Sequence, residues 1–151
     1  MTTPRNLRFR EDPGVRPGLR ALAAASVATL LIGCSACGGR ENPDDQGFHQ
    51  DVVNGSNGAE VTFDASVLSD PVESGSHERF QVRAATGERL EVDHNTNLAT
   101  YVPIHTGDGL IIHGQLYIDP GPRLGVHCTH AQTSSGCPNP GWIEFGNNYF
   151  E

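Results

Sequence analysis

Apolar and polar residues alternate along much of the chain from residue 59 onward. In residues 60–67 the apolar side chains fall on one face and the polar ones on the other, which is typical of a half-buried strand. Residues 78–84, 89–94 and 109–118 repeat the pattern, and a glycine turn between the first two predicts a hairpin. We expect Gly114, within the last strand, to mark a bend. The side chains predicted to face inward are Val61, Phe63, Ala65, Val67, Phe80, Val82, Ala84, Leu90, Val92, Leu110, Ile112, Leu116 and Ile118.

The remaining segments complete a small all-β fold. Residues 123–128 predict a further strand, and residues 141–150 predict a terminal hairpin with its turn at Gly146-Asn147-Asn148. Residues 69–77 form a polar loop, whereas residues 94–103 begin with turn-forming side chains and end at a proline. We therefore expect an OB-like barrel of about five to six strands, with a short helix or loop between the third and fourth. A β-sandwich is the alternative.

The N-terminal region predicts export. Five arginines precede an apolar run, residues 21–33, which is too short to cross a bilayer but typical of an export signal. The segment Leu31-Ile32-Gly33-Cys34 resembles the bacterial lipobox, so we expect Cys34 to carry lipid and become the new N-terminus. Cys37 fits less well, because no aliphatic residue lies three positions before it. Acyl chains would anchor the protein to a membrane without crossing it. An ordinary cleaved signal peptide or a poor membrane anchor is the alternative.

Three segments follow from this interpretation. Residues 1–33 are a lipoprotein signal peptide, residues 34–58 a lipidated N-terminus with a flexible tether, and residues 59–151 a single β domain. The tether is expected to be flexible because it is rich in Gly, Asn, Asp and Ser and has little apolar periodicity. His49 lies in it and is expected to have no specific role.

Charge limits the partners of the exported chain. After removal of residues 1–33, five arginines, 16 acidic residues and no lysine leave a net charge of −11. Nucleic-acid binding needs clustered basic residues to displace phosphate counterions, so we expect no nucleic-acid partner. The expected partners are the membrane, through the lipid, and an envelope protein, glycan or small ligand.

Two cysteines flank a turn-rich loop in the segment LGVHCTHAQTSSGC. Export favours oxidation, and a disulfide between Cys128 and Cys137 would close a loop of about ten residues, stabilising the fold by roughly 2.5 to 3 kcal/mol. A zinc thiolate site competes with this interpretation, although the spacing is not the usual paired C-x-x-C. Cys37 is then left as an odd thiol.

The histidines of the β domain carry its candidate chemistry. His94 shares the inward face of its strand and ends it, whereas His113 lies opposite Ile112 and is expected to be solvated. On a straight strand His127 and His130 point to opposite sides, so they can share an ion only if the chain turns near Thr129. His94 and His130 are the metal candidates, for a possible divalent ion.

The motifs of the chain resemble a known family. They are Gly75–Phe80, His94-Asn95 with Leu98-Ala99, Gly107-Asp108, Gly114 with Leu116-Tyr117, His127–His130, and Gly141–Glu144 with Tyr149. Over about residues 58–149 this order resembles a family of small exported bacterial proteins classed as a domain of unknown function. The resemblance implies one functional cluster, made of His77, His94, Asn95, His127, Thr129 and His130.

The chain departs from the family pattern near its two cysteines. Cys128 replaces the usual tryptophan, Ala131 and Gln132 replace a histidine and an aspartate, and Cys137 replaces a further histidine. The lost histidines weaken a shared histidine cluster, and the paired changes to cysteine are what a local disulfide would require.

Two functions are therefore expected to compete. The first is a membrane-anchored binding or structural module. The second is a histidine-dependent, possibly metal-assisted hydrolase, in which His94 and His130 are base or ligands and His77 and His127 support them. Asp93 or Asp108 would orient these histidines. No nucleophile elbow, P-loop or dinucleotide motif occurs in the sequence.

Overall fold

A computed structural model describes residues 40–121 and 123–151. The predicted signal peptide, the expected lipidation site Cys34 and the expected odd thiol Cys37 lie outside the described residues. The described part contains one helix and eight strands, which confirms the all-β prediction. No helix in it is both long and apolar enough to cross a membrane. The elements are α1 (Asp45–Asn54), β1 (Glu60–Val67), β2 (Val72–Ser74), β3 (His77–Ala84), β4 (Arg89–Asn95), β5 (Gly109–Asp119), β6 (Arg123–His127), β7 (Trp142–Phe145) and β8 (Asn148–Phe150).

Five of the strands close a barrel, as predicted. They pair in the order β1-β3-β4-β6-β5, and β5 pairs back to β1. All pairs are antiparallel except β4 with β6, so the barrel is mixed and OB-like, not a sandwich. The segment between β4 and β5 is irregular, which matches the loop version of the prediction. The hairpin of β7 and β8 extends the sheet from β5, with its turn at Gly146 and Asn147.

The core follows the alternation of the sequence. Each residue predicted to face inward is buried except Ile118, which is partly buried at the end of β5. Phe63, Val82, Val92, Ile112 and Leu116 are fully enclosed at 0% exposure. Val102 and Ile104, from the segment between β4 and β5, join this core and close one end of the barrel.

The predicted flexible tether is wrong for residues 45–54, which form α1. The Asp44 side chain accepts a hydrogen bond from the Gly47 backbone N–H, and Gly55 ends the helix in the left-handed conformation. Phe48 is buried and stacks on Phe63 of β1, with ring centroids 4.2 Å apart. His49 was expected to have no specific role, but its ring contacts the Glu88 carboxylate.

Two further expectations need correction. The segment 69–77 contains the short strand β2, which pairs with β3 at the edge of the sheet. Gly114 marks a close approach and not a bend, because a Cβ there would lie 2.5 Å from the His127 carbonyl oxygen.

Candidate functional site

A polar network fills the barrel end that is covered by the segment between β4 and β5. Glu78 of β3 and His94 of β4 pair directly across the sheet, and both are fully buried. The Thr129 hydroxyl lies 2.7 Å from His94 Nδ1, and the Thr100 carbonyl oxygen lies 3.1 Å from His94 Nε2. A carbonyl can only accept, so Nε2 carries the hydrogen and Nδ1 accepts from Thr129. Both ring nitrogens of His94 are therefore occupied by protein partners.

Glu78 is the residue of this network that the sequence did not suggest. Its Oε1 accepts a hydrogen bond from the Val102 N–H at 2.8 Å and lies 3.9 Å from His94 Nε2. Its Oε2 has no hydrogen-bond partner among the described residues. Burial raises the pKa of Glu78 to about 7, against the lowering effect of the Val102 N–H. The carboxyl group thus keeps its proton through much of the range in which a surface glutamate is ionised.

The pKa of His94 is shifted in the opposite direction to that of Glu78. Burial lowers its pKa to about 4, opposed by the Thr100 carbonyl and assisted by the positive charges of His130 and His77. The imidazole is therefore neutral at neutral pH. A neutral histidine beside a carboxyl group of raised pKa is a stable way to bury two titratable groups, because neither needs to carry charge.

Backbone geometry explains why the two histidines of the segment His127–His130 point to different places. β6 ends at His127, and Cys128 takes a left-handed backbone conformation with φ 56°. The chain therefore turns one residue before Thr129. This turn sends Thr129 and His130 into the protein, where they are 0% and 3% exposed. His130 Nδ1 has no hydrogen-bond partner in the described part of the chain.

His127 remains on the partly exposed outer side of the barrel. Its Nε2 lies 3.2 Å from Gln115 Oε1, and its ring packs edge-on against Tyr117 at a centroid distance of 5.5 Å. Burial lowers the pKa of His127, opposed first by the nearby Asp93 carboxylate. His127 and His130 thus occupy different environments and share no hydrogen bond in the described structure.

The predicted disulfide between Cys128 and Cys137 is present. It closes the loop over residues 129–136, which the Ser134 N–H tightens by donating to the Cys137 carbonyl oxygen at 2.8 Å. Gly141 packs so closely on Cys128 that a Cβ at that position would overlap the Cys128 carbonyl oxygen. The disulfide therefore fixes the turn that buries Thr129.

The other members of the predicted cluster lie at the sheet surface. His77 and Asn95 are register partners on β3 and β4 and are partly exposed. His77 Nδ1 lies 3.2 Å from the Ser76 hydroxyl, and Asn95 accepts a hydrogen bond from the Asn97 N–H. The six residues therefore divide into a buried group and a surface group. The buried group is His94, Thr129 and His130.

The expected orienting carboxylates do not orient these histidines. Asp93 receives two hydrogen bonds from the Arg79 guanidinium, at 3.0 and 3.2 Å. Asp108 accepts from the backbone N–H of His105 and so closes a turn. In the described part of the chain, neither carboxylate therefore forms a hydrogen bond with a candidate histidine, although Asp93 lies near enough to His127 to act on its pKa.

His113 is buried, which corrects the expectation that it is solvated. Its exposure is 7%, its Nδ1 lies 2.7 Å from the Thr62 hydroxyl, and its ring stacks on Trp142 at 5.6 Å. Trp142 is the register partner of His113 on the neighbouring strand β7, and its side chain covers the His113 ring. A Glu41 carboxylate oxygen lies 3.7 Å from His113 Nδ1. In the sequence, Trp142 in the motif Gly141–Glu144 was the only indication that a large side chain covers His113.

One set of possible metal ligands lies together among the described residues. A ring nitrogen of His127 and the sulfurs of Cys128 and Cys137 are all within 4.8 Å of one another. The sulfurs are bonded to each other, so neither offers a thiolate. The metal candidate His94 has no free nitrogen, because Thr129 and Thr100 use both.

An open groove of about 330 Å³ lies on the outside of the barrel, beside β2. Five of its seven lining residues are polar, and three of these, Arg79, Gln81 and Glu91, lie on β3 and β4. Val72, 67% exposed, forms its apolar edge. The lining residues are Ser69, Val72, Ser74, Arg79, Phe80, Gln81 and Glu91.

Comparisons with known proteins add no identification. No protein-family model matches the chain, and no curated protein matches it significantly. The family resemblance therefore rests on the sequence motifs alone.

Proposed function

We propose that the chain is an exported, lipid-anchored lipoprotein whose OB-like barrel is a non-catalytic binding module. The observation that supports this proposal is the burial of its most suggestive chemistry. Glu78, His94 and Thr129 are 0% exposed and are engaged by one another and by the backbone of the covering segment. A general base must reach the proton that it removes within hydrogen-bond distance. These side chains instead close the barrel.

The described N-terminal residues support attachment close to a membrane. Arg40 lies about six residues after Cys34, a span of at most about 22 Å even when fully extended. The Arg40 guanidinium donates to Glu151 at 2.6 Å and lies 3.9 Å from the ring centroid of Tyr149. If Cys34 carries lipid, the C-terminal hairpin of the barrel stays near the bilayer. The groove beside β2 is the surface proposed for the ligand.

A glycan is the ligand class that fits this groove best. OB-like barrels use the face of their second and third strands, here β3 and β4, for oligonucleotides and oligosaccharides. The exported chain has 16 acidic residues and no lysine, so a polyanion is disfavoured. Ser69, Ser74 and Gln81 offer hydroxyl and amide groups that suit an uncharged sugar chain.

Co-sedimentation with chitin, an insoluble and uncharged glycan, tests the binding proposal. We expect the full chain to sediment with chitin and Gln81→Ala to lower the bound fraction severalfold. The matched control Gln132→Ala changes an exposed loop amide and is expected to leave binding unchanged. Failure of the full chain to sediment would contradict an uncharged glycan of this class as the ligand. Turnover of a phosphodiester or ester that is lost in His127→Ala would favour the hydrolase instead.

Energy transfer tests the anchor separately. Trp142 is the only tryptophan and lies beside Arg40, so it can act as donor to a dansyl headgroup lipid in vesicles. We expect transfer with the lipidated chain and none with Cys34→Ser. Equal signals from the two proteins would contradict the anchor without affecting the test of glycan binding.

A further inference from the structure

The disulfide and His127 place three atoms of metal-binding type, one nitrogen and two sulfurs, in one small volume. A ring nitrogen of His127 and the sulfurs of Cys128 and Cys137 lie within 4.8 Å of one another. Ligands that bind one zinc ion at roughly 2.0–2.3 Å are at most about 4.6 Å apart. The His127 nitrogen is therefore already about as far from the sulfurs as a shared ion requires. The two sulfurs are bonded to each other, so they must separate to about 3.8 Å after reduction before both can bind one zinc ion.

The hydrogen bond to Gln115 prepares the His127 ring for this role. Gln115 Oε1 can only accept, so the His127 Nε2 at 3.2 Å carries the hydrogen. The other ring nitrogen, Nδ1, then keeps its lone pair. Metal-binding histidines commonly donate their second ring N–H to such an oxygen, which fixes the tautomer and the ring orientation. The pairing of Gln115 with His127 across β5 and β6 holds this partner in place.

We propose that reduction of the Cys128–Cys137 disulfide opens a zinc site made of both cysteines and His127. A dithiol reductant supplies two electrons and two protons, the S–S bond breaks, and the reductant is left as a disulfide. Zn²⁺ then displaces the two thiol protons and forms two Zn–S bonds. His127 Nδ1 donates a third electron pair, and a water molecule fills the fourth position.

The surrounding backbone keeps the ligands together after the S–S bond is broken. His127 is the last residue of β6, and the Gly141 N–H donates to the His130 carbonyl oxygen at 2.8 Å just beyond the turn. The Cys137 N–H donates to the Ser134 hydroxyl at 3.1 Å. His127 and Cys137 are both partly exposed, so an ion and the fourth ligand can enter from solvent.

Metal titration of the full chain tests the proposal. The full chain carries Cys34→Ser and Cys37→Ser, so that Cys128 and Cys137 are its only thiols, and it is reduced with a phosphine. We expect equilibrium dialysis to find one Zn²⁺ per reduced chain and none on the oxidised chain. With Co²⁺ as the probe, the reduced chain should show thiolate-to-cobalt charge-transfer absorption in the near ultraviolet.

Variants separate this site from adventitious binding. In the same chain, His127→Ala should weaken Zn²⁺ binding at least tenfold, whereas removal of the exposed His105 by His105→Ala should leave it unchanged. Circular dichroism of the reduced, metal-free protein checks that it is folded. The proposal is overturned if the reduced chain unfolds before metal is added, if it binds no Zn²⁺, or if His127→Ala binds as tightly as its parent.

Discussion

Replacement of the buried carboxyl group by Glu78→Gln should change how stability depends on pH. In the folded protein the pKa of Glu78 is about 7, compared with 4.5 for an ordinary glutamate. Between these values the folded state holds one more proton than the unfolded state. The stabilising contribution of Glu78 is therefore fully present below pH 4.5 and is lost as pH rises through 7, at about 1.4 kcal/mol per pH unit.

His94 contributes to the pH dependence of the free energy of unfolding with the opposite sign. Its pKa is about 4 in the folded protein and 6.5 for an ordinary histidine, so the unfolded state holds the extra proton in this window. Its contribution is present above pH 6.5 and is lost as pH falls through 4. From pH 4.5 to 6.5 the two slopes cancel, because folding moves one proton from the histidine to the carboxyl group.

In Glu78→Gln, the contribution of His94 to the change in unfolding free energy with pH is no longer cancelled by that of Glu78. Between pH 4.5 and 7.5 the free energy of unfolding of the variant should rise by about 3 kcal/mol relative to the wild type. Urea unfolding at half-unit pH steps measures this difference. Glu41→Gln is the control, because Glu41 is exposed and is not among the groups that shift the pKa of Glu78. Parallel pH profiles for Glu78→Gln and wild type would refute a protonated, buried carboxyl group.

Two further substitutions test the packing around this network. Thr129→Val removes the hydroxyl that donates to His94 Nδ1, so it should lower the free energy of unfolding by about 1–3 kcal/mol. The exposed Thr133→Val should change it little, and equal urea midpoints for the two variants would contradict the assigned bond. Gly114→Ala puts a Cβ 2.5 Å from a backbone carbonyl of β6 and should cost about 1–3 kcal/mol by urea unfolding. A Cβ at Gly109 would have no neighbouring atom within 4 Å. A loss of stability in Gly109→Ala as large as that in Gly114→Ala would therefore contradict the close-packing explanation.

Period-two alternation was enough to predict the barrel, because one face of each strand must be buried. The same alternation places Glu78 in phase with Phe80, but a glutamate is seldom fully buried, so Glu78 was not among the residues predicted to face inward. Only tertiary structure shows that the Val102 N–H is available to it. His113 was misjudged for a related reason, because its ring is covered by Trp142. The long-range pairing of β7 with β5 brings Trp142 beside it, and no local pattern encodes that pairing.

The helix α1 shows a different limit of sequence reasoning. Its boundaries were signalled by Asp44 as a capping residue and by Gly55 after the last turn. The polar composition of the segment nevertheless suggested a tether. What makes the helix part of the fold is the stacking of Phe48 on Phe63, a single apolar contact 15 residues away in sequence. The disulfide was predictable because both cysteines lie in one short, turn-rich loop.

A buried histidine that closes the barrel, and does not act on a substrate, keeps a neutral ring shielded from water. Proton-coupled ¹⁵N NMR of the His94 ring across pH 3.5 to 8 measures both properties. We expect a neutral ring protonated at Nε2 over the neutral range, with a pKa of about 4. Titration of His94 near 6.5, with rapid exchange of its ring proton with water, would show instead a histidine that solvent and substrate can reach.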